Sequence, residues 1–173
     1  MIPAPFSLRE AFATWLIARV TRRAPDKVIG GEGDPYLRRW FLVPRNRWCN
    51  IYLHHFMRSD DDRALHDHPW WNASWLLRGA YDEILFAVPP MQKPPRLYRV
   101  ERRVAGDLVS RRAQVAHRVR LLRGTDGREE PVWTLFLTGP RLRDWGFWCP
   151  QGWRHWREFT DPKDSGKIGR GCE

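Results

Sequence analysis

Hydrophobic positions recur at helical spacing near the start of the chain. Ser7 followed by Glu10 fits a capping box. Apolar side chains then recur every three or four residues through about residue 21, at Leu8, Phe12, Trp15, Leu16 and Val20. The pattern predicts one amphipathic helix that packs its apolar stripe on the rest of the domain.

Beyond a turn-rich segment, residues 24–35, the pattern changes to short runs rich in β-branched and aromatic residues. Turn sequences such as SDDD, RG, PPMQKPP and RGTDG separate these runs. About ten short strands at this spacing predict an antiparallel sandwich or barrel. The predicted organisation is a helix and linker over 1–35 packed on a β-barrel over 36–160, followed by a loose tail over 161–173.

Composition narrows the class of protein. A chain of 173 residues suits one domain, and 42% apolar with 29% charged residues indicates a globular chain. Eleven tryptophans suit a barrel interior, a ring-stacking pocket or an association surface, and a homodimer formed through barrel edges is one expectation. The net charge of +10 comes almost entirely from arginine, which favours a solvated basic surface over nucleic-acid binding.

Cysteine usage and the N-terminal segment indicate the compartment. Three widely spaced cysteines, an odd number, predict a reduced environment in which Cys149 is a buried, inert thiol. The N-terminal apolar stretch is too short to span a bilayer and lacks the features of a signal peptide. We therefore expect a cytoplasmic protein that does not contact a membrane.

Three histidines carry the candidate chemistry. His66 and His68 are two residues apart in a predicted strand, so both imidazoles face the same side. Two imidazoles one strand-step apart can share a metal ion, although a lone H-x-H arises often by chance. His117 falls in the strand that follows a predicted hairpin turn at Gly106 and Asp107, which makes it the candidate third ligand.

The spacing of these residues resembles the two motifs of the cupin superfamily, whose members are small jelly-roll barrels that often hold a metal. The first motif, G-x5-H-x-H-x3,4-E-x6-G, aligns with Asp60, His66, His68, Asn72 and Gly79. The second motif, G-x5-P-x-G-x2-H-x3-N, aligns with Gly106, Arg112, Gln114, His117 and Leu121. The ligand spacings all hold, whereas Asp60, Asn72, Arg112, Gln114 and Leu121 depart from the motif residues.

The resemblance implies an all-β fold, a cupin-like double-stranded β-helix with an N-terminal α-helix. By similarity to three-histidine members such as thiol and diketone dioxygenases, His66, His68 and His117 would hold a divalent transition metal. Iron is the favoured metal, and manganese, nickel and zinc are alternatives. Asn72 stands where a carboxylate is expected and offers a neutral oxygen ligand or a hydrogen bond to a ligand. The alternative is an inherited barrel whose histidines are hydrogen-bonded in the core.

The resemblance implies a metal-binding cupin that acts as an enzyme, of oxygenase or isomerase or lyase type, on a small molecule, with anionic substrates favoured. Two alternatives stay open: a cupin that binds a small ligand or metal without turnover, and a basic accessory protein that contacts nucleic acid or another protein. The stretch RLRDWGFWCPQGWRHWREF is also similar to uncharacterised phage and prophage proteins, a likeness that implies no activity.

Several further side chains are candidates for the pocket or for packing. The substrate-pocket candidates on or beside the strands that flank the first motif are Trp70, Ser74, Arg78, Tyr81 and Tyr98. His54 and His55 point to opposite sides of their strand, and we expect each to be a packed or surface imidazole. His155 is expected to be a surface strand residue, with an acid or base role at the pocket left open.

Overall fold

The computed structural model describes residues 7–31, 33–60, 64–88, 97–163 and 167–173. The helices and strands within these ranges are α1 (Leu8–Val20), β1 (Lys27–Ile29), β2 (Leu37–Phe41), β3 (Asn50–Phe56), β4 (Leu65–His66), β5 (Asn72–Arg78), β6 (Ala80–Phe86), β7 (Tyr98–Val104), β8 (Leu108–Arg111), β9 (His117–Leu121), β10 (Val132–Thr138), β11 (Gly146–Cys149), β12 (Gly152–His155) and α2 (Trp156–Phe159). None of the helices in these ranges combines the length and apolar character that crossing a bilayer requires.

The strands form two six-stranded antiparallel sheets, in the orders β1-β2-β3-β10-β5-β8 and β12-β11-β4-β9-β6-β7. Apolar side chains from the inner faces of both sheets pack together between them: Leu76, Tyr81, Val119, Leu121 and Val132. We call the space between these inner faces the barrel interior. The predicted all-β fold with an N-terminal helix is confirmed.

Helix α1 covers the outer face of the first sheet. Its capping box is present, since Ser7 Oγ accepts from the backbone N–H of Glu10. The helix buries Ala13 and Ile17 against Trp40, Leu53 and Leu77 of the sheet. The apolar stripe predicted from Leu8 and Trp15 is wrong at these two positions, because Leu8 is 91% and Trp15 59% exposed.

Three local differences from the predicted strands matter for the site. Strand β1 forms inside the segment expected to be only turns, where it pairs with β2. The single strand predicted across the H-x-H motif is broken between β4 and β5, where Pro69 has no N–H to donate to a ladder. The predicted last strand ends at His155, and the chain continues as the short helix α2.

The described part of the C-terminal tail is held to the barrel instead of being loose. Cys149 and Cys172 form a disulfide bond, which also corrects the expectation of reduced cysteines for this pair. The backbone N–H groups of Gly169 and Gly171 both donate to the carbonyl of Phe159. A pattern of apolar positions could not reveal this attachment, because a covalent bond and backbone contacts provide it. Cys49 is a free, exposed thiol.

Candidate metal centre

Three imidazoles meet in the barrel interior. His66, on β4, pairs directly with His117 at the start of β9, and His68 follows β4 by two residues. One ring nitrogen from each histidine lies within 4.8 Å of the other two. His68 Nε2 and His117 Nε2 are 2.8 Å apart. A two-residue strand-step and one cross-strand pair are therefore sufficient to bring the three rings together.

A buried carboxylate adjoins His117. Glu83 Oε1 lies 2.8 Å from His117 Nδ1, and the Glu83 side chain has no exposed surface. Arg111 Nε donates to Glu83 Oε1 at 2.5 Å, and Arg103 Nε donates to Oε2 at 2.9 Å. Burial raises the pKa of Glu83, but hydrogen bonds from His117 and Arg111 outweigh this and hold it well below its usual range. Glu83 is thus an ionised carboxylate that both arginines neutralise.

This contact determines the tautomer of His117. A carboxylate accepts the proton on Nδ1, so the neutral His117 ring has its lone pair on Nε2. His117 Nε2 is then the acceptor, and His68 Nε2 the donor, in their 2.8 Å contact. A metal ion needs the same lone pair on His117, so the carboxylate prepares this histidine for coordination.

A second carboxylate lies beside His66. Asp60 Oδ2 is 4.0 Å from His66 Nδ1, and it accepts from the backbone N–H of Val119 at 2.6 Å. Asp60 also accepts from the Tyr36 hydroxyl through Oδ1. The residue that replaces the first motif glycine therefore anchors a strand of the second sheet and places negative charge near a candidate ligand.

Asp67 anchors the segment between His66 and His68 on the side that faces away from the barrel interior. Its buried carboxylate accepts from the backbone N–H of Gly146 at 2.9 Å and from Trp153 Nε1 at 3.0 Å. Arg143 Nη1 lies 2.9 Å from Asp67 Oδ2. Because side chains alternate along an extended chain, a fixed Asp67 holds both neighbouring imidazoles toward the interior.

Burial keeps two of the candidate ligands, His68 and His117, neutral. It lowers the pKa of His117 to about 4, with a further lowering from the charge of Arg111. Burial also lowers the pKa of His68 well below its usual value, with contributions from His117 and His66. Neutral imidazoles have the free lone pairs that metal coordination requires, so the donor set fits a transition metal.

The sequence-predicted pocket residues divide into two groups. Ser74 and Tyr81 are buried on the inner faces, where burial raises the pKa of Tyr81. Arg78 is exposed and donates to Thr14 Oγ1 of α1, and Tyr98 is 49% exposed and stacks on Phe86. Both lie on outer faces, which corrects the expectation that they line the pocket. The two were misplaced because strand alternation alone does not identify the inner face.

Two other candidates are near the motif but differ in accessibility. Trp70 lies in the break between β4 and β5 and is half-buried, with no partner for Nε1 among the described residues. Asn72 is fully buried at the start of β5, and neither of its side-chain amide atoms has a partner there. Asn72 pairs with Thr138 on one side and Arg111 on the other, so it faces the barrel interior.

His155 lies apart from the three histidines. Its Nδ1 accepts from the backbone N–H of Arg157 at the start of α2, and its Nε2 is 3.8 Å from Asp144. Glu83 and Arg39, which lies on the inner face of β2, were missed by sequence reasoning, and Asp60 was considered only as a replacement for the first motif glycine. The sequence did contain a signal for Glu83: its carboxylate alternates with Tyr81 and Leu85 on an otherwise apolar strand face, where a charged residue needs a partner.

Comparisons with known proteins identify the fold. No protein-family model and no curated protein matches the chain in sequence. Among solved structures, the DMSP lyase DddQ from Ruegeria pomeroyi is 17% identical, with a TM-score of 0.51 over 87% of this chain and 75% of that one.

Two further solved structures are similar to part of the chain. A protein with a double-stranded β-helix domain from Klebsiella pneumoniae is 16% identical, covering 74% of this chain and 92% of that one, with a TM-score of 0.45. An RmlC-like cupin family protein from Methanocaldococcus jannaschii is 10% identical, covering 68% and 93%, with a TM-score of 0.43. The likeness shows the fold alone: two six-stranded antiparallel sheets arranged as a double-stranded β-helix.

Proposed function

We propose that His66, His68 and His117 hold one divalent transition metal ion and that the protein is a metal-dependent enzyme acting on a small, anionic molecule. The observation that supports this most directly is the convergence of three ring nitrogens within 4.8 Å of one another in the barrel interior. The contact between Glu83 and His117 Nδ1 also supports the proposal, because it leaves the lone pair of His117 on Nε2, the nitrogen that faces His68.

Imidazole donors are compatible with iron, manganese, nickel and zinc, so the ligands alone do not select the metal. Iron is the metal that we favour, by the resemblance to three-histidine dioxygenases. A divalent ion held by neutral ligands would act as a Lewis acid toward an anionic donor atom and would lower the pKa of bound water. The cupin fold itself carries no particular reaction, so oxygenase and isomerase or lyase activities are both tested.

The first experiment measures metal in the purified protein and in a His66→Ala/His68→Ala variant. We expect about one equivalent in the wild type and its loss in the variant, with an unchanged far-UV circular dichroism spectrum. His55→Phe is the matched control, because His55 lies on the outer face of β3 and stacks on Trp133. Metal-free protein whose melting curve is unchanged by iron, manganese, nickel and zinc would refute the proposal.

The second experiment separates an enzyme from a binding protein. Metal-loaded protein is incubated with small organic acids, thiols and diketones while oxygen uptake and product formation are recorded. Turnover that disappears with the two-histidine variant supports an enzyme. Stoichiometric metal binding without turnover of any of these substrates would instead support a protein that binds metal without catalysis.

A further inference from the structure

Arg39 is a charged side chain on the inner face of β2, and the described part of the chain places no countercharge beside it. It pairs with His54 across β2 and β3, His54 pairs with Thr134 on β10, and Thr134 pairs with the core residue Leu76 on β5. Directly paired residues share a face, so this row of four side chains faces the barrel interior.

The contacts of Arg39 leave most of its guanidinium available. Arg39 Nε donates to His54 Nε2 at 2.9 Å, and the guanidinium lies 5.0 Å from the centre of the Tyr52 ring. No carboxylate among the described residues lies within ion-pair distance of Arg39. Burial lowers the pKa of Arg39, which reflects the cost of holding this charge in the interior. Arg39 is half-buried, and a ligand of opposite charge would offset the cost of holding its charge partly out of water.

Two neighbours in the same row also have unused hydrogen-bonding groups. His54 accepts from Arg39 through Nε2, so the proton of the neutral ring is on Nδ1, and no described residue is a partner for this buried Nδ1. Thr134, which is 1% exposed, has a buried hydroxyl that also lacks a partner among the described residues. Buried groups of this kind are normally satisfied. The row therefore offers a guanidinium, an imidazole N–H and a hydroxyl to one acceptor-rich group.

The row is continuous with the three histidines. The ring of His54 lies 5.0 Å from that of Phe136, which in turn lies 6.3 Å from that of His68. Phe136 lies on the inner face between Tyr52 and Ser74 and keeps part of its surface accessible. A small molecule along Phe136 would have one end at Arg39 and the other at the candidate metal centre.

We propose that Arg39, His54 and Thr134 form a carboxylate-binding subsite that orients a small carboxylic acid with its other end toward His66, His68 and His117. The orientation toward a metal rests on the function proposed above, whereas the binding of the carboxylate does not. A carboxylate fits better than a phosphate because one guanidinium matches one negative charge and can bind both oxygens side by side.

The test is titration calorimetry with malonate, succinate and glutarate, on metal-free and on Mn²⁺-loaded protein. Succinamide serves as the neutral analogue and inorganic phosphate as the competing anion. We expect at least one dicarboxylate to bind, and Arg39→Gln to raise its Kd at least about tenfold, the loss typical of one charge-assisted pair. Thr134→Val, which keeps the side-chain shape, should raise the Kd severalfold.

Arg38→Gln is the matched control, because Arg38 precedes Arg39 on β2 and faces the opposite side. It should change the Kd less than about twofold, as expected for a charge on the outer face of the sheet. Arg39→Gln should keep its metal content, and its Tm should be equal to or above that of the wild type, since it removes an unpaired buried charge.

The outcomes separate the two proposals. Carboxylate binding that depends on Arg39 in a protein without metal affinity supports the subsite and rejects the metal. Stoichiometric metal binding without an Arg39-dependent affinity for any dicarboxylate overturns the subsite alone. A marked fall in Tm for Arg39→Gln, or tighter Arg39-dependent binding of phosphate than of every dicarboxylate, would also overturn it.

Discussion

Glu83 and His117 form a buried carboxylate–imidazole pair, with 2.8 Å between Oε1 and Nδ1. Arg111 and Arg103 hold the same carboxylate, so the orientation of one candidate metal ligand depends on a charge network that extends to β7 and β8. A side chain held by this many contacts in a core loses little further freedom when a metal binds.

Glu83→Gln should weaken metal binding by roughly 10- to 100-fold, because the amide no longer favours the Nδ1–H tautomer of His117. The variant should also lower the Tm, since Arg111 is left in the core without a countercharge. Asp82→Asn is the control: Asp82 pairs with Arg102 and Arg120, both more than half exposed, on the opposite face of β6. Metal titration and thermal melts of both variants check the prediction, and equal metal affinities would contradict it.

The sequence predicts the histidines better than their surroundings. His66, His68 and His117 were found because strand periodicity and turn positions are local properties that the sequence displays directly. The glycine that ends the first motif illustrates the same point: Gly79 has φ +89°, and a Cβ there would lie 2.7 Å from Val132.

The partners of the histidines depend on which strands become neighbours, and this was not visible from local patterns. Arg39 and Glu83 both alternate with apolar residues on their strands, Arg39 with Leu37 and Phe41. Read alone, such a charge predicts an exposed strand edge as readily as an interior site. Only the sheet order places both of them on inner faces.

Asn72→Leu should leave the stability of the metal-free protein unchanged or raise it. Asn72 is fully buried with both amide atoms unpaired among the described residues, and an apolar side chain of similar volume removes that cost. If the amide serves a bound metal or substrate, the same variant should lose metal affinity or turnover while its Tm does not fall. A large fall in Tm would indicate that Asn72 has a structural role instead.

Removal of the disulfide should destabilise the protein by about 2–4 kcal/mol, the range typical of natural cross-links. Cys149 and Cys172 are 23 residues apart, and the bond holds the C-terminal segment against the cluster that contains Phe147 and Phe159. Cys172→Ser should therefore lower the Tm, and Cys49→Ser, which removes an exposed free thiol, should not. Thiol titration of the unreduced, unfolded wild type should find one reactive cysteine, and three would contradict the disulfide.

Acidification should destabilise the fold before the carboxylates titrate, because buried histidines stay neutral. Burial lowers the pKa of His55 to about 4, helped by the charge of Arg38, and burial lowers that of His54 well below its usual value. The unfolded chain takes up these protons near pH 6.5, whereas folded His55 does so only near pH 4. The unfolded state therefore binds more protons between about pH 6.5 and about pH 4, so the free energy of unfolding falls as the pH falls through this range. Above about pH 6.5 His55 is neutral in both states and makes no pH-dependent contribution.

The variant His55→Phe isolates this contribution. Phenylalanine keeps the stacking on Trp133, where the ring centroids are 3.8 Å apart, but it cannot take up a proton in either state. Melts of metal-free protein between pH 7.5 and 4.5, measured for both proteins, should show a shallower decline in Tm for the variant. If the Tm of both proteins declined in parallel with falling pH, folded and unfolded His55 would have the same pKa. That result would contradict the partial burial of His55 beside Trp133.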